Sequence, residues 1–459
     1  MTKKLFVLIS ILSLTMGTVL VGCASGDSKT TDTSKEKINQ SKENASSFNF
    51  ISSKTQPETV KDFLPLFAQQ FKKYNQVAEK IWPQNAVTGI PVVLEDTESK
   101  KMWKINPDGQ ISDFSEKEAK ELNVERSEAP GTWGYYGKQF DKFGVNAQYS
   151  LEGKTLEGGG MYFSLDCAAL KNKEMWNRYP HLGSYDALVF VLHENFHIFE
   201  QTKWNKLSET EIAKIGSEKD QHLGQTEARI IRYQLIQKLM KAVTHPKDKT
   251  LVLQAIATYN EYKTKHKTDF DNAHYWDRTE GSAQYMEIMT ALYAYFPDQL
   301  STDKDITHAI QTLGKQTKGY GNSTGNVEES YDIGAFAGLL LDNYDSSWKI
   351  KLMKDKNTTP MSLLADYFQN EKLPAYTPLN EEDKNKLLEK ITDKKKELVT
   401  YHKQSLEEMK KELPSATDPK QKEALEMEIK ALEAKIAALE SNIKNKPYSL
   451  MNMVLYCRD

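Results

Sequence analysis

Two histidines four residues apart lie in the middle of an apolar segment, and a glutamate follows the first of them. The segment reads LVFVLHENFHIFEQ over residues 188–201. Its apolar spacing predicts a buried helix, on which positions i and i+4 project from one face about one turn apart. His193 and His197 therefore have the spacing of two ligands of one zinc ion, and Glu194 can reach a water on that ion as a general base. In the alternative interpretation the histidines bond to backbone carbonyls of a core helix, which would have to bury the Glu194 carboxylate at considerable cost.

A further zinc ligand must come from elsewhere in the chain, because zinc sites use three or four protein ligands. Three glutamates are candidates: Glu218, Glu227 and Glu280. We favour Glu280, in DRTEGSAQYME, on a helix predicted over residues 275–296. Gly281 and Ala283 leave room there for close packing against the helix of the two histidines. Glu227, in QTEARIIRYQL, is the second choice.

The motif HENFH, followed far downstream by EGSAQY, resembles the gluzincin-type zinc metallopeptidases over residues 184–342. In that family the glutamate of an E-G-x-A motif completes the metal site. The resemblance implies a zincin-like fold, one Zn²⁺ per chain held by His193, His197 and Glu280, and hydrolysis of a peptide or protein substrate with Glu194 as the base. The chain departs from the pattern in its long spacer between the motifs and in Gln284, where the family has an acid.

Such chemistry also needs a donor for the developing oxyanion. Tyr331, in ESYDIGAFAGLLLD, is the first candidate, because the small residues that follow it imply a tightly packed helix that could face the site. A tyrosine that only packs in the core is the simpler interpretation of this residue. The alternatives are Tyr285, His274 and His308. The resemblance also implies a peptide that lies along the edge strand of a sheet, and GGGMYFSLD, residues 158–166, is placed for that role. A glycine turn that enters an ordinary strand explains this segment equally well.

Ligand histidines usually donate their second N–H to a carboxylate or a carbonyl. Gln284, Glu287 and Asp277 are candidates for that role, although a surface or helix-pairing role is the simpler interpretation of each. We also expect Arg229 or Arg278 to hold the acidic residues of the site together, because a guanidinium suits buried carboxylates. A simple surface salt bridge is the alternative for these arginines.

The rest of the chain predicts an α+β fold, with a small mixed or antiparallel sheet followed by a mainly helical region. A helix is expected over residues 60–82, a hairpin from IPVVLED and KMWKIN, and a turn at Pro107-Asp108-Gly109. Residues 51–379 would form the zincin-like domain. Residues 380–446 are rich in charges of both signs and have a heptad-like apolar spacing, which predicts an antiparallel helical hairpin around LPSATDP. Residues 447–459 would return to the core as a strand.

The N-terminus predicts export and lipid anchoring. Residues 1–22 have two lysines followed by an apolar stretch, and LVGC ends in Cys23, as in the lipobox of bacterial lipoproteins. Residues 23–50 then form a polar tether. We expect an extracytoplasmic protein anchored to the bacterial membrane through Cys23. Two cysteines remain, Cys167 and Cys457, and the sequence does not decide whether they form a disulfide.

Nucleic-acid binding is not indicated, since the formal net charge is −3. The helical hairpin could bind a protein partner or pack on its own domain, and the packing interpretation is the simpler one. The competing function is a non-catalytic zincin-like lipoprotein that binds a peptide or a protein partner. A hydrolase of non-peptide amides would use the same residues.

Overall fold

The computed structural model describes residues 59–96, 99–135, 148–151, 160–165, 185–208, 211, 226–295, 326–415 and 419–445. The predictions on the lipidation site, the cysteine pair, the C-terminal strand and two single residues lie outside these ranges: residues 1–58 with Cys23, Cys167, Glu218, His308, and residues 446–459 with Cys457. Within the described ranges, no helix combines the length and the hydropathy that crossing a membrane requires.

The first helix, α1 (Val60–Ile81), forms where it was predicted. Thr59 caps it by accepting a hydrogen bond from the backbone N–H of Asp62. Phe63, Phe67 and Phe71 lie on one face of α1 and are fully buried, as the helical spacing predicted. This face packs into the main core.

The sheet is mixed. Its strands are β1 (Val92–Asp96), β2 (Lys101–Ile105), β3 (Ile111–Ser112), β4 (Val124–Arg126), β5 (Trp133–Tyr135), β6 (Gln148–Leu151) and β7 (Gly160–Leu165). The strand order is β4-β5-β2-β1-β7-β6, with β3 paired to β2. The β1–β2 hairpin is antiparallel, as predicted, and β7 pairs in parallel with β1. A short helix, α2 (Glu116–Leu122), lies between β3 and β4.

The two faces of β1 belong to different clusters because side chains alternate along a strand. Val92 and Leu94 belong to the main core, together with the aromatic face of α1. Val93 belongs to a smaller cluster with Phe114 and Trp133. The main core therefore lies between one face of the sheet and the helices.

The prediction that residues 158–166 form the edge strand is wrong. The strand β7 pairs with β1 on one side and with β6 on the other, so it lies inside the sheet. The edge of the described sheet on this side is β6, a four-residue strand, and short strands are common at exposed edges. The glycines and apolar residues of β7 could not distinguish the two positions, because an interior strand has the same pattern.

Helices form most of the rest of the fold, as predicted. They are α3 (Tyr185–Asn195), α4 (Thr226–Thr244), α5 (Lys249–Lys265), α6 (Lys267–Tyr295), α7 (Asn326–Tyr344), α8 (Trp348–Lys354) and α9 (Pro360–Tyr367). The helix α3 continues into a π-helical turn, Phe196–Glu200, and a 3₁₀ turn, Gln201–Lys203. The helix α6 starts eight residues earlier than predicted and packs against α1, α3 and α7.

The predicted C-terminal hairpin is confirmed as α10 (Glu381–Glu412) and α11 (Pro419–Asn445). Ion pairs join the two helices in antiparallel order, from Lys403 to Glu440 and from Lys410 to Glu433. Leu406, Ile429 and Ile436 form the apolar seam between them. Whether this hairpin binds a partner stays a prediction.

Candidate metal centre

The first half of the site comes from α3 and the turn that follows it. Leu188, Val191, Leu192 and Phe196 are buried in the main core, which fixes the rotation of α3 and directs the adjoining histidine face toward α6. His193 and Glu194 lie near the end of α3, and His197 lies in the π-helical turn. π-helical turns inside longer helices are rare and occur often at functional sites.

The structure brings His193, His197 and Glu280 together, with one ligand atom of each within 4.8 Å of the other two. Glu280 Oε2 lies 3.5 Å from His193 Nε2 and 3.4 Å from His197 Nε2. All three side chains are at least nine-tenths buried. The structure therefore brings Glu280 to the two histidines, as predicted, and their binding of a metal stays a prediction.

These separations fit a single zinc ion. Two ligand atoms that are each about 2.1 Å from an ion at a tetrahedral angle are about 3.4 Å apart. The two separations from Glu280 Oε2, 3.5 and 3.4 Å, are close to that edge length. Two imidazoles and one carboxylate are also a known donor set of catalytic zinc sites, in which the fourth position is left for water or substrate.

The two imidazoles differ in what lies at their other nitrogen. His193 Nδ1 lies 3.3 Å from Glu287 Oε2, which is ion-pair distance without hydrogen-bond geometry. The structure brings Glu287 beside His193, and the predicted N–H donation to it stays a prediction. His197 Nδ1 lies 2.8 Å from Gln201 Oε1. Sequence reasoning missed Gln201, although its position four residues after His197, on the same face of the segment, was a signal that could have found it.

The carboxylates shift the pKa values of both histidines. Burial by itself lowers the pKa of His193, but Glu280 and Glu287 outweigh it and raise that pKa to about 10. Burial also opposes the raised pKa of His197, where Glu280 is the largest favourable influence. Glu280 shows the reverse effect: burial raises its pKa, but the two histidines outweigh burial and lower it. The cluster therefore favours positive charge at the histidines, and a metal ion would have to displace their protons.

Glu194 and Tyr331 both lie at this cluster. Glu194 is buried, and its carboxylate acts on the pKa values of both His193 and His197. The ring of Tyr331 lies 5.7 Å from that of His193, centroid to centroid, and the side chain is half-buried. The structure thus places the predicted base and the predicted oxyanion donor beside the same histidine.

Several alternative residues lie elsewhere. Glu227 is exposed and pairs with Lys384 at 3.4 Å, so it does not join the cluster. The Tyr285 hydroxyl is buried and donates to Asp342. Asp277 accepts from Arg232 at 2.6 Å rather than from a histidine.

The arginine prediction is met in part. Arg229 and Arg232 form a buried network with Asp269, Asp277 and Glu329, which ties α4 to α6 and α7. Arg278 instead donates to backbone carbonyls, among them Asn205 O at 3.0 Å and Asp355 O at 3.0 Å.

The close packing at Gly281 involves a different helix from the one predicted. A Cβ placed on Gly281 would lie 2.5 Å from Gly334 Cα, and one placed on Gly334 would lie 2.4 Å from Gly281 Cα. The backbones of α6 and α7 are therefore in direct contact, and the prediction that Gly281 packs against α3 is wrong. The prediction of a tightly packed helix after Tyr331 is confirmed. This contact sets the position of Tyr331 relative to Glu280.

Comparison of the chain with protein-family models, with curated proteins and with solved structures gives no match.

Proposed function

We propose that this protein is a zinc-dependent metallopeptidase of the gluzincin type with a zincin-like fold. The observation that supports the proposal best is the convergence of His193, His197 and Glu280 from two separate segments, at separations that suit one tetrahedral ion. A helix with two ordinary core histidines would not require a buried glutamate from a second helix between their Nε2 atoms.

His193, His197 and Glu280 would hold the zinc ion. When bound, zinc supplies a Lewis acid that polarises a carbonyl and lowers the pKa of a water to about 7. Because only three protein groups would hold the zinc ion, coordination positions remain for the water and for the substrate carbonyl.

Glu194 is the proposed base. Its carboxylate would accept a proton from the attacking water and would then deliver that proton to the nitrogen of the leaving amine. Glu194 is buried beside both histidines. Because it is adjacent to His193 in the chain, it projects from a different side of the helix and stays outside the ligand set.

Tyr331 is the proposed oxyanion donor. Its hydroxyl would donate a hydrogen bond to the carbonyl oxygen as negative charge develops there. Two observations support this role. The Tyr331 ring lies beside that of His193, and its helix, α7, packs directly on α6 through the Gly281–Gly334 contact. We further propose that the protein works outside the cytoplasm, anchored to the membrane through Cys23, because of the lipobox and the polar tether.

The decisive test is Glu194→Gln, assayed for hydrolysis of a peptide library and for zinc content. We expect zinc to remain near one per chain and the hydrolysis rate to fall about 10²- to 10⁴-fold, the usual contribution of a general base. Glu227→Gln is the matched control, because that glutamate is exposed on α4. Unchanged turnover in Glu194→Gln would refute the mechanism. Zinc binding by the parent without cleavage of any peptide would favour the non-catalytic alternative.

A further inference from the structure

Gln201 connects the two halves of the candidate metal centre. Its side-chain oxygen lies 2.8 Å from His197 Nδ1. Its side-chain nitrogen donates to the carbonyl oxygen of Thr279 at 2.8 Å and to Ser282 Oγ at 3.0 Å. Thr279 and Ser282 flank Glu280 on α6. One buried amide therefore links a histidine of the site to the helix segment that carries the glutamate.

The hydrogen-bonding neighbours of the Gln201 side chain determine which of its ends is the amide nitrogen and which is the oxygen. Thr279 O is a carbonyl and can only accept, so the amide nitrogen must face it. The Ser282 hydroxyl donates to Arg278 O at 2.7 Å and can therefore accept from the same nitrogen. The amide oxygen is then left to face His197. Because that oxygen can only accept, the hydrogen of a neutral His197 ring must be on Nδ1.

This tautomer is the one that a metal site needs. With the hydrogen on Nδ1, the lone pair of a neutral His197 is on Nε2, which is the nitrogen 3.4 Å from Glu280 Oε2. The relay runs from the imidazole through Gln201 and Ser282 to the backbone of α6. The orientation of His197 is thus set by main-chain groups of the other helix.

The backbone beside Gln201 is also held firmly. The adjacent Glu200 is buried and accepts from the backbone N–H of Ala86 at 3.0 Å and from Trp204 Nε1 at 2.9 Å. These bonds tie the end of the π-helical turn to the segment after α1 and to Trp204.

We propose that Gln201 is a positioning residue, which fixes the Nδ1–H tautomer of His197 and its distance from Glu280 and so preorganises the site for its metal. The inference rests on the proposed function, since it assumes that His197 and Glu280 bind zinc. Residues that orient metal-bound histidines typically contribute 10- to 100-fold to metal affinity.

The test uses the full chain and two variants. Gln201→Met keeps most of the volume and removes all three contacts, and Ser282→Ala removes the next link of the relay without loss of bulk. Gln234→Met is the matched control, because Gln234 is similarly buried but bonds to Thr377 O and Tyr376, neither of which belongs to the site. Zinc dissociation constants come from competition with a chromophoric chelator. The visible absorption spectrum of Co²⁺-loaded protein reports the ligand geometry independently of activity.

We expect Gln201→Met to weaken zinc binding about 10- to 100-fold and to alter the Co²⁺ spectrum. Ser282→Ala should weaken zinc binding about 2- to 10-fold, as expected for one buried hydrogen bond, and it decides the matter alone if Gln201→Met does not fold. Gln234→Met should leave both measurements unchanged. Zinc binding by both site variants within about twofold of the parent would overturn this inference alone. A parent that binds no zinc would overturn the proposed function as well.

Discussion

The contact between Gly281 and Gly334 allows a sharp test of how the site is assembled. In Gly334→Ala, the new Cβ would lie 2.4 Å from Gly281 Cα and 2.6 Å from Asp277 O. Carbon atoms normally approach to about 3.5 to 4.0 Å, so α6 and α7 would have to separate by roughly 1 Å or more. Both obstacles are backbone atoms, which cannot rotate away as a side chain can.

The expected cost follows from two opposing effects. Overpacking typically destabilises a protein by about 1 to 3 kcal/mol, and a backbone clash belongs at the upper end of that range. Alanine is favoured over glycine inside a helix by about 1 kcal/mol. We therefore expect the free energy of unfolding of Gly334→Ala to fall by about 2 kcal/mol.

The same separation moves Tyr331 away from Glu280 and His193, so peptide hydrolysis should fall about 10²-fold, as for a 1 Å misplacement of a catalytic group. Denaturant titration and peptide assays measure the two effects. Gly134→Ala is the control, because a Cβ there would meet its nearest neighbour only at 4.0 Å. If Gly334→Ala were as stable and as active as Gly134→Ala, the contact would not position the site.

Two further predictions concern the ligand set. Glu280→Ala should lose zinc, whereas Glu227→Ala should retain near one zinc per chain by mass spectrometry, and equal contents would refute the choice of Glu280 as ligand. In metal-free protein, the raised pKa of His193, about 10 against 6.5 for the free side chain, means that the folded state keeps a proton that the unfolded chain releases. That stabilisation is fully present below pH 6.5 and is lost as the pH rises through about 10. Glu287→Gln removes one carboxylate partner and should make this loss smaller in denaturant titrations, and an equal loss in both proteins would contradict the assigned cause.

Local periodicity explains what could be predicted from the sequence. His193, Glu194 and His197 are close in the chain, and the helical repeat alone determines that the two histidines share a face and that Glu194 does not. The same reasoning located α1, the β1–β2 hairpin and the C-terminal helical hairpin, whose apolar positions recur at fixed intervals. Each of these features depends on residues within one or two neighbouring elements.

The third ligand and its surroundings required the tertiary structure. The motif around Glu280 favoured it over Glu227, but only the packing of α6 against α3 brings Glu280 to the histidines, while Glu227 pairs with Lys384 at the surface. The link from Gln201 to α6 could not be predicted, because Thr279 and Ser282 are about 80 residues away in the chain. Likewise, β7 became an interior strand through pairing with β6, a partner that the pattern of β7 does not specify. The sequence determines the local geometry of each half of the site, because helix and strand periods are short-range properties. The contact between the two halves depends on how closely the helices approach, and buried side chains and the two facing glycines decide that only in the folded protein.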